Sequence, residues 1–219
     1  MRILYLFPTR ERKEKCFKAI DNIISLSRHD DYLIQLVLDI DDSTMNTPKV
    51  RDRINFYGEK VKAYWGFSKN KIDAINRDIS LCPEYDILCL HSDDMIFVKE
   101  GFDLDIIEGF ADGFNGLLHF PDKRFLSSLI TYSIMHRDYL KIDGYIYHPD
   151  FVSMFCDNLQ QDIAKKRGKY KFVDKQILEH HHAIWGLCEK DALLNKTWNP
   201  TIYYKDSLTY DKLKEQFGL

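Results

Sequence analysis

Short, uninterrupted apolar runs alternate along this chain with longer stretches in which apolar residues recur every three or four positions. Residues 3–7 form a first run that Pro8 ends, and Thr9 is placed to cap a helix reaching about residue 28. Cys16, Ile20, Ile23, Ile24 and Ser27 share one face of that helix. Residues 32–40 are a second strand-like run, ending in Asp39, Asp41 and Asp42. Residues 61–65 are a third, followed by Gly66 and a helix capped by Ser68 that carries Ile72, Ile75 and Ile79 at helical spacing. Residues 86–91 are too short for a helix, follow Pro83, and read as a central strand covered on both faces. The order strand, helix, strand, strand, helix, strand predicts a parallel, doubly wound sheet over the first hundred residues.

Beyond Asp94 the pattern loosens. It predicts a helix over 101–110, strands over 116–120 and 129–135 with antiparallel edges, and a helix over 151–168 that ends in Lys165-Lys166-Arg167 and stops at Gly168. Short strands over 170–173 and 177–182 and an amphipathic helix over 207–217 complete the chain. No repeat or Gly/Ser linker divides its 219 residues, so the expectation is one α/β domain, residues 1–219, with halves at 1–98 and 99–219.

Composition narrows the partners. The 31 basic and 34 acidic residues give a formal charge of −3, which recommends neither nucleic acid nor an anionic membrane as a global partner. Cys16, Cys82, Cys89, Cys156 and Cys188 are odd in number and widely spaced, as reduced thiols are, and they lead to an expected cytoplasmic location. The first apolar stretch is too short for a signal segment, and no later one approaches a membrane span. There is no G-x-G-x-x-G after the first strand, no G-x-x-x-x-G-K-[ST] and no G-x-S-x-G. Dinucleotide redox chemistry, P-loop phosphoryl transfer and a nucleophile elbow therefore lack their frames.

Candidate chemistry collects where strands end in acids. The run before His91-Ser92-Asp93-Asp94 delivers two carboxylates to a strand's carboxyl end, where open α/β sheets bind ligands. Carboxylates there suit a hard divalent cation holding a phosphorylated substrate. Glu179-His180-His181-His182 offers imidazoles that complete such sites, and on a strand His180 and His182 share a face that His181 does not. A zinc hydrolase lacks its H-E-x-x-H or cysteine pair.

His91-Ser92-Asp93 resembles the D-x-D triplet of the GT-A glycosyltransferases, in particular the family 2-like nucleotide-sugar enzymes, with His91 in place of the usual first Asp. The resemblance implies that Asp93 binds Mn²⁺ or Mg²⁺, with Ser92 and Asp94 beside it at the donor. Phe7-Pro8-Thr9-Arg10-Glu11-Arg12 looks like the family's P-T-R-x-R opening, which implies nucleotide contacts from Pro8, Thr9, Arg10 and Arg12. The segment containing Asp39 and Asp41 looks like a variant of V-D-D-x-S, either acid matching the base or ribose contact. The stretch from Ser68 to Asn76 is similar to the helix that ends in A-R-N, with Lys71 and Asn76 as matches. The late E-H-x-H-x-x-x-G-x-x-x-x-D pattern, through Gly186 and Asp191, implies that His180 or His182 joins the metal or the diphosphate. Asp157 matches the acid that deprotonates the acceptor hydroxyl in inverting members.

The resemblance thus implies a GT-A fold and a metal-dependent transfer of sugar from a nucleotide diphosphate donor, a UDP-sugar above all, to a hydroxyl acceptor with inversion. A glycan, a lipid-linked sugar, a protein and modified nucleic acid all fit as the acceptor. Tyr132, Tyr145, Tyr147 and Trp185 either stack on a sugar or fill the core. Two rival readings are a nucleotidyltransferase that makes nucleotide sugars, for which residues 9–15 lack glycine, and a non-catalytic nucleotide-sugar or glycan-binding module.

Overall fold

Strand β1 (Ile3–Pro8) sits in the middle of the sheet because both of its faces are apolar: Ile3, Tyr5 and Phe7 point one way, Leu4 and Leu6 the other, and all five are essentially inaccessible in the computed structural model. The structure describes residues 1–182, 186, 191–197 and 199–219, so Trp185 and Cys188 lie outside the described residues. β1 pairs in parallel with β2 (Tyr32–Asp39) and with β4 (Ile87–Leu90), and β2 pairs in parallel with β3 (Val61–Gly66). β7 (Ile134–His136) runs antiparallel to β4 and to β6 (Leu117–His119), and β6 is parallel to β8 (Tyr170–Phe172). The sheet order is therefore β3-β2-β1-β4-β7-β6-β8, mainly parallel on one side of β4 and mixed on the other, as expected. A separate antiparallel pair, β5 (Met95–Phe97) with β9 (Leu178–His180), sets Met95 opposite His180.

The odd residues of β1 pack with Ile34, Leu36 and Leu38 of β2 against α1 (Lys13–Leu26), α2 (Pro48–Phe56) and α4 (Phe102–Glu108). The even residues pack with Leu88 and Leu90 against α3 (Lys71–Arg77), α5 (Arg137–Asp143), α6 (Cys156–Lys166) and α8 (Pro200–Phe217). A short helix, α7 (Ala192–Thr197), precedes α8. No helix among the described residues is long and apolar enough to cross a membrane.

Several element boundaries differ from the sequence expectation, each for a local reason. Thr9 does not cap α1: the helix starts at Lys13, because the Thr9 hydroxyl is committed to Asp93 and residues 9–12 form a loop at the sheet's edge. Ser68 does not cap α3, since Asn70 does so by accepting from the Asp73 amide, while Ser68 donates to Asp39. Helices α2, α5 and α7 are additions to the predicted order. α6 starts five residues later than expected, after Phe155 takes a left-handed conformation (φ 60°), and α8 begins at Pro200 rather than 207.

α8 anchors the turn before α6. Its Asp206, fully buried, accepts the amides of Val152 (3.0 Å), Ser153 (2.8 Å) and Met154 (2.8 Å). Asp206→Ala strands one buried and two partly buried donors and is expected to cost ~2–4 kcal/mol of stability. Thermal unfolding should show a midpoint lower by roughly 5–15 °C; an unchanged midpoint would mean that the turn is held by packing alone.

Candidate active site

A cleft of about 880 Å³ opens at the carboxyl ends of β1, β2 and β4 and is walled on the far side by the turn before α6, the residues after β9, and α7. The parallel strands end at this edge, and their terminal polar residues converge there.

At the β2 end, Asp39 is buried and its carboxylate is held by three donors. It accepts from Arg10 (3.0 Å), Arg77 (2.9 Å) and Ser68 (2.6 Å). Asp41 is exposed and binds the Arg10 guanidinium through both oxygens (2.8 and 3.1 Å). Arg10 thus bridges the two acids that the sequence left as alternatives, with Pro8 beside it on the cleft wall. Asn76 lies elsewhere: its side-chain amide pins the backbone of Ile146 and Tyr147, and it does not line the cleft.

At the β4 end the two adjacent aspartates diverge. Asp93 turns towards β1, accepting from the Thr9 hydroxyl (2.8 Å) and from Arg12 Nη1 (2.8 Å). Arg12 also grips Asp191 through Nε and Nη2 (2.8 and 2.9 Å), and Lys15 reaches the same carboxylate (3.2 Å). Burial pushes the Asp93 carboxyl up despite the Arg12 charge. His91 forms the floor: it is 1% exposed, sits among Phe7, Phe97 and Tyr132, and shares a hydrogen bond with the Tyr132 hydroxyl (3.0 Å). Burial lowers its pKa to about 3, so the ring is neutral. Tyr132 and Tyr147 are likewise core residues, whereas Tyr147 also reaches the cleft wall.

Asp94 turns the other way. One of its oxygens lies with a ring nitrogen of His180 and one of His182 inside a mutual 4.8 Å, all three half-buried. The His180 Nε2 is 3.5 Å from Asp94 Oδ2, and the His180 and His182 rings are 5.3 Å apart. His181 points away, to Glu179 (3.2 Å), while its amide donates to the Asp94 carbonyl (2.7 Å). Burial would raise the Asp94 carboxyl, but the hydrogen bond and charge of His180, with the Ser92 hydroxyl, hold it well below the usual carboxylate range. Burial, with the neighbouring His180, lowers the His182 pKa to about 4, which keeps that imidazole in its neutral, ligating form. The grouping that the structure assembles is therefore Asp94, His180 and His182, with Asp93 occupied by Thr9 and Arg12.

Asp157 faces the same cleft from the first turn of α6, half-buried, and accepts the Asn158 amide (2.9 Å). Burial pushes its carboxyl up, with Lys71 across the cleft pulling it partly back. Lys71, at the start of α3, is exposed on the cleft rim. Two contributors escaped the sequence reading: Arg77, whose guanidinium closes the Asp39 cluster, and Asp122, a buried acid whose Oδ2 is 3.8 Å from His180 Nδ1. Asp122 follows the apolar run 117–120, so the rule that found Asp39 and Asp93, an acid just after a strand, would have found it too.

No protein-family model and no curated protein sequence matches the chain. Solved structures do resemble it. S. aureus TarS 1–349 in complex with UDP-GlcNAc aligns over 95% of this chain and 65% of its own, at a TM-score of 0.70 and 12% identity. The same TarS fragment in complex with UDP aligns over 100% and 72%, at 0.65 and 14%. The mannosyltransferase PcManGT from Pyrobaculum calidifontis, in complex with GDP-Man and Mn²⁺, aligns over 80% and 54%, at 0.64 and 13%. At such identities the shared property is the fold, which is GT-A. This chain spans little more than half of the length of the mannosyltransferase.

Proposed function

We propose that the protein is a metal-dependent glycosyltransferase that moves a sugar from a nucleotide diphosphate donor, a UDP-sugar above all, to a hydroxyl acceptor with inversion at the anomeric carbon. The observation that carries this reading is the convergence, in one cleft at the strand ends of a GT-A fold, of Asp94, His180 and His182 with Asp157. A carboxylate oxygen with two imidazoles, which must be neutral to ligate, fits Mn²⁺ better than Mg²⁺, which prefers oxygen ligands throughout. In this assignment Asp94 replaces the sequence-expected Asp93 as the carboxylate ligand, and both histidines take part. Bound there, the cation supplies neutralisation of the charge that develops on the leaving diphosphate.

The chain's own groups do the rest. Arg10, set between Asp39 and Asp41, stands at the end of the cleft suited to the nucleoside, where it presents a fixed guanidinium. Asp93, neutralised by Arg12, ties the loop after β1 to the turn after β4 and so fixes the cleft floor. Asp157 accepts the proton of the acceptor hydroxyl as that oxygen forms its bond to the anomeric carbon. The bond from that carbon to the diphosphate oxygen breaks, and its electron pair leaves with the diphosphate. A cytoplasmic setting is proposed on the free thiols of Cys16, Cys82, Cys89 and Cys156, three of them buried.

The test is incubation with a panel of UDP- and GDP-sugars and Mn²⁺, following nucleoside diphosphate release. Release that EDTA stops and added Mn²⁺ restores is the expected result. Pyrophosphate in its place would identify a nucleotidyltransferase, and binding without release a non-catalytic module.

A further inference from the structure

We propose that Tyr203 and Phe155 form the stacking platform of the acceptor site and that the acceptor ends in an uncharged sugar ring; the inference rests on the reading of Asp157 as the base that faces the acceptor. The lining of the cleft divides by charge. Its cations, Arg10, Arg12, Lys69 and Lys71, all come from the loops that follow β1 and β3 and from the start of α3. Among the described residues after Asp94, none that lines the cleft is a lysine or an arginine, and Asp157 is the one carboxylate. That wall is made instead of apolar and aromatic groups such as Met154, Phe155, Leu193 and Tyr203, with Asn158 next to Asp157. A diphosphate belongs where the cations are, and an acceptor that carries phosphates of its own would meet no fixed cation on the opposite wall.

The aromatic pair is held in place against backbone strain. Phe155 directly precedes α6 in a left-handed conformation (φ 60°), which strains a bulky residue and which glycine adopts freely. One face of α8 supports it there. Asp206 accepts the amides of residues 152–154, and the Tyr203 and Tyr210 rings pack on the Phe155 ring with centroids 5.0 and 5.8 Å away. The Tyr210 hydroxyl is tied to Asp162 (2.5 Å), so the backing of Phe155 is fixed. Helix packing accounts for Tyr210 but not for Tyr203, which is 53% exposed and lines the cleft. Its ring stands at 64° to that of Phe155, and the two make an apolar corner two residues from Asp157. A pyranose presents an apolar C–H face and a rim of hydroxyls. The corner suits the face, and the Asn158 side chain, which makes no hydrogen bond among the described residues, offers the rim both a donor and an acceptor.

The test lays the fluorescently labelled chain, with UDP and Mn²⁺, on an array of neutral oligosaccharides, phosphate-bearing glycans, unmodified peptides and RNA. Binding to neutral oligosaccharides is the expected result. Tyr203→Ser should weaken the best-bound one about 10-fold while UDP affinity, which reports an intact fold and donor side, stays at the wild-type value. Tyr203→Trp restores a ring and should restore the affinity. Phe155→Gly relieves the backbone strain but deletes the other ring, and it should weaken the same saccharide. Binding confined to phosphate-bearing glycans, peptides or RNA, no binding to any neutral saccharide, or a Tyr203→Ser variant with wild-type saccharide affinity overturns the proposal. Asp157→Asn keeps this failure apart from failure of the base. Saccharide affinity that depends on Tyr203, together with turnover that Asp157→Asn leaves unchanged, removes the base and keeps the platform; turnover lost in Asp157→Asn, with saccharide binding unchanged in Tyr203→Ser, removes the platform and keeps the base.

Discussion

Asp94→Ala is expected to abolish Mn²⁺-dependent binding of the donor and to lower turnover by ~10³-fold or more, the scale on which loss of charge stabilisation at a leaving group is felt. Asp93→Asn, one residue away, is expected to keep Mn²⁺ affinity near the wild-type value. The contrast follows from geometry. The Asp93 carboxylate accepts from Thr9 and from Arg12, whose guanidinium it shares with Asp191, so its charge is already paired with a fixed cation that opposes a second one. The Asp94 carboxylate looks across to two imidazoles. Asp93→Asn should instead appear as lost stability, because the Arg12 charge, only 15% exposed, loses one of its two counter-charges. Calorimetric titration of Mn²⁺ into both variants in the presence of UDP, with thermal unfolding alongside, separates these outcomes. Loss of metal binding in Asp93→Asn with retention in Asp94→Ala would restore the sequence-based assignment.

Which aspartate faces the imidazoles could not be read from the chain, and the reason is specific. Strand alternation fixes side-chain direction only as far as Leu90, where β4 ends, and Asp93 and Asp94 belong to a turn. Their directions are set by partners distant in sequence, Thr9 and Arg12 for Asp93, His180 and His182 for Asp94. By contrast, the split between His180 and His181 was legible, because the antiparallel partner β5 continues the alternation up to that point. The central strands were legible for a similar reason. β1, β2 and β4 are buried on both faces, so each reads as an apolar run with polar residues at its ends, broken in β2 only by Gln35. Helix α2 buries only Val50 and Ile54 and carries too weak an apolar stripe to detect, although Thr47 before Pro48 is a helix start signal that the structure uses. α5 buries only the adjacent Tyr139 and Leu140, which carry no helical spacing. Asn76 shows the limit of matching by motif: its position fits the pattern, yet both ends of its amide are spent on the backbone at residues 146 and 147.

Asp157→Asn is expected to leave donor and Mn²⁺ affinity almost unchanged while turnover falls by ~10²–10⁴-fold, since shape is kept and the proton acceptor is lost. The carboxyl is suited to the task by its surroundings. Burial in the cleft wall raises its pKa, and the positive charge of Lys71 partly offsets that rise. Because the ionised form is the base, turnover should climb with pH through the raised pKa and level off above it. Lys71→Met removes the stabilising charge, so the same limb should move to higher pH, a displacement that a merely structural lysine would not produce. The stereochemical consequence follows from the proposed role: if Asp157 is the base that activates the acceptor for in-line displacement of the diphosphate, the product should be inverted. An NMR spectrum of the product with retained configuration, or an Asp157→Asn variant that turns over at the wild-type rate, would remove Asp157 from the chemistry. Its carboxylate would then serve α6 alone, as an acidic residue in a first turn, where it favours the helix dipole.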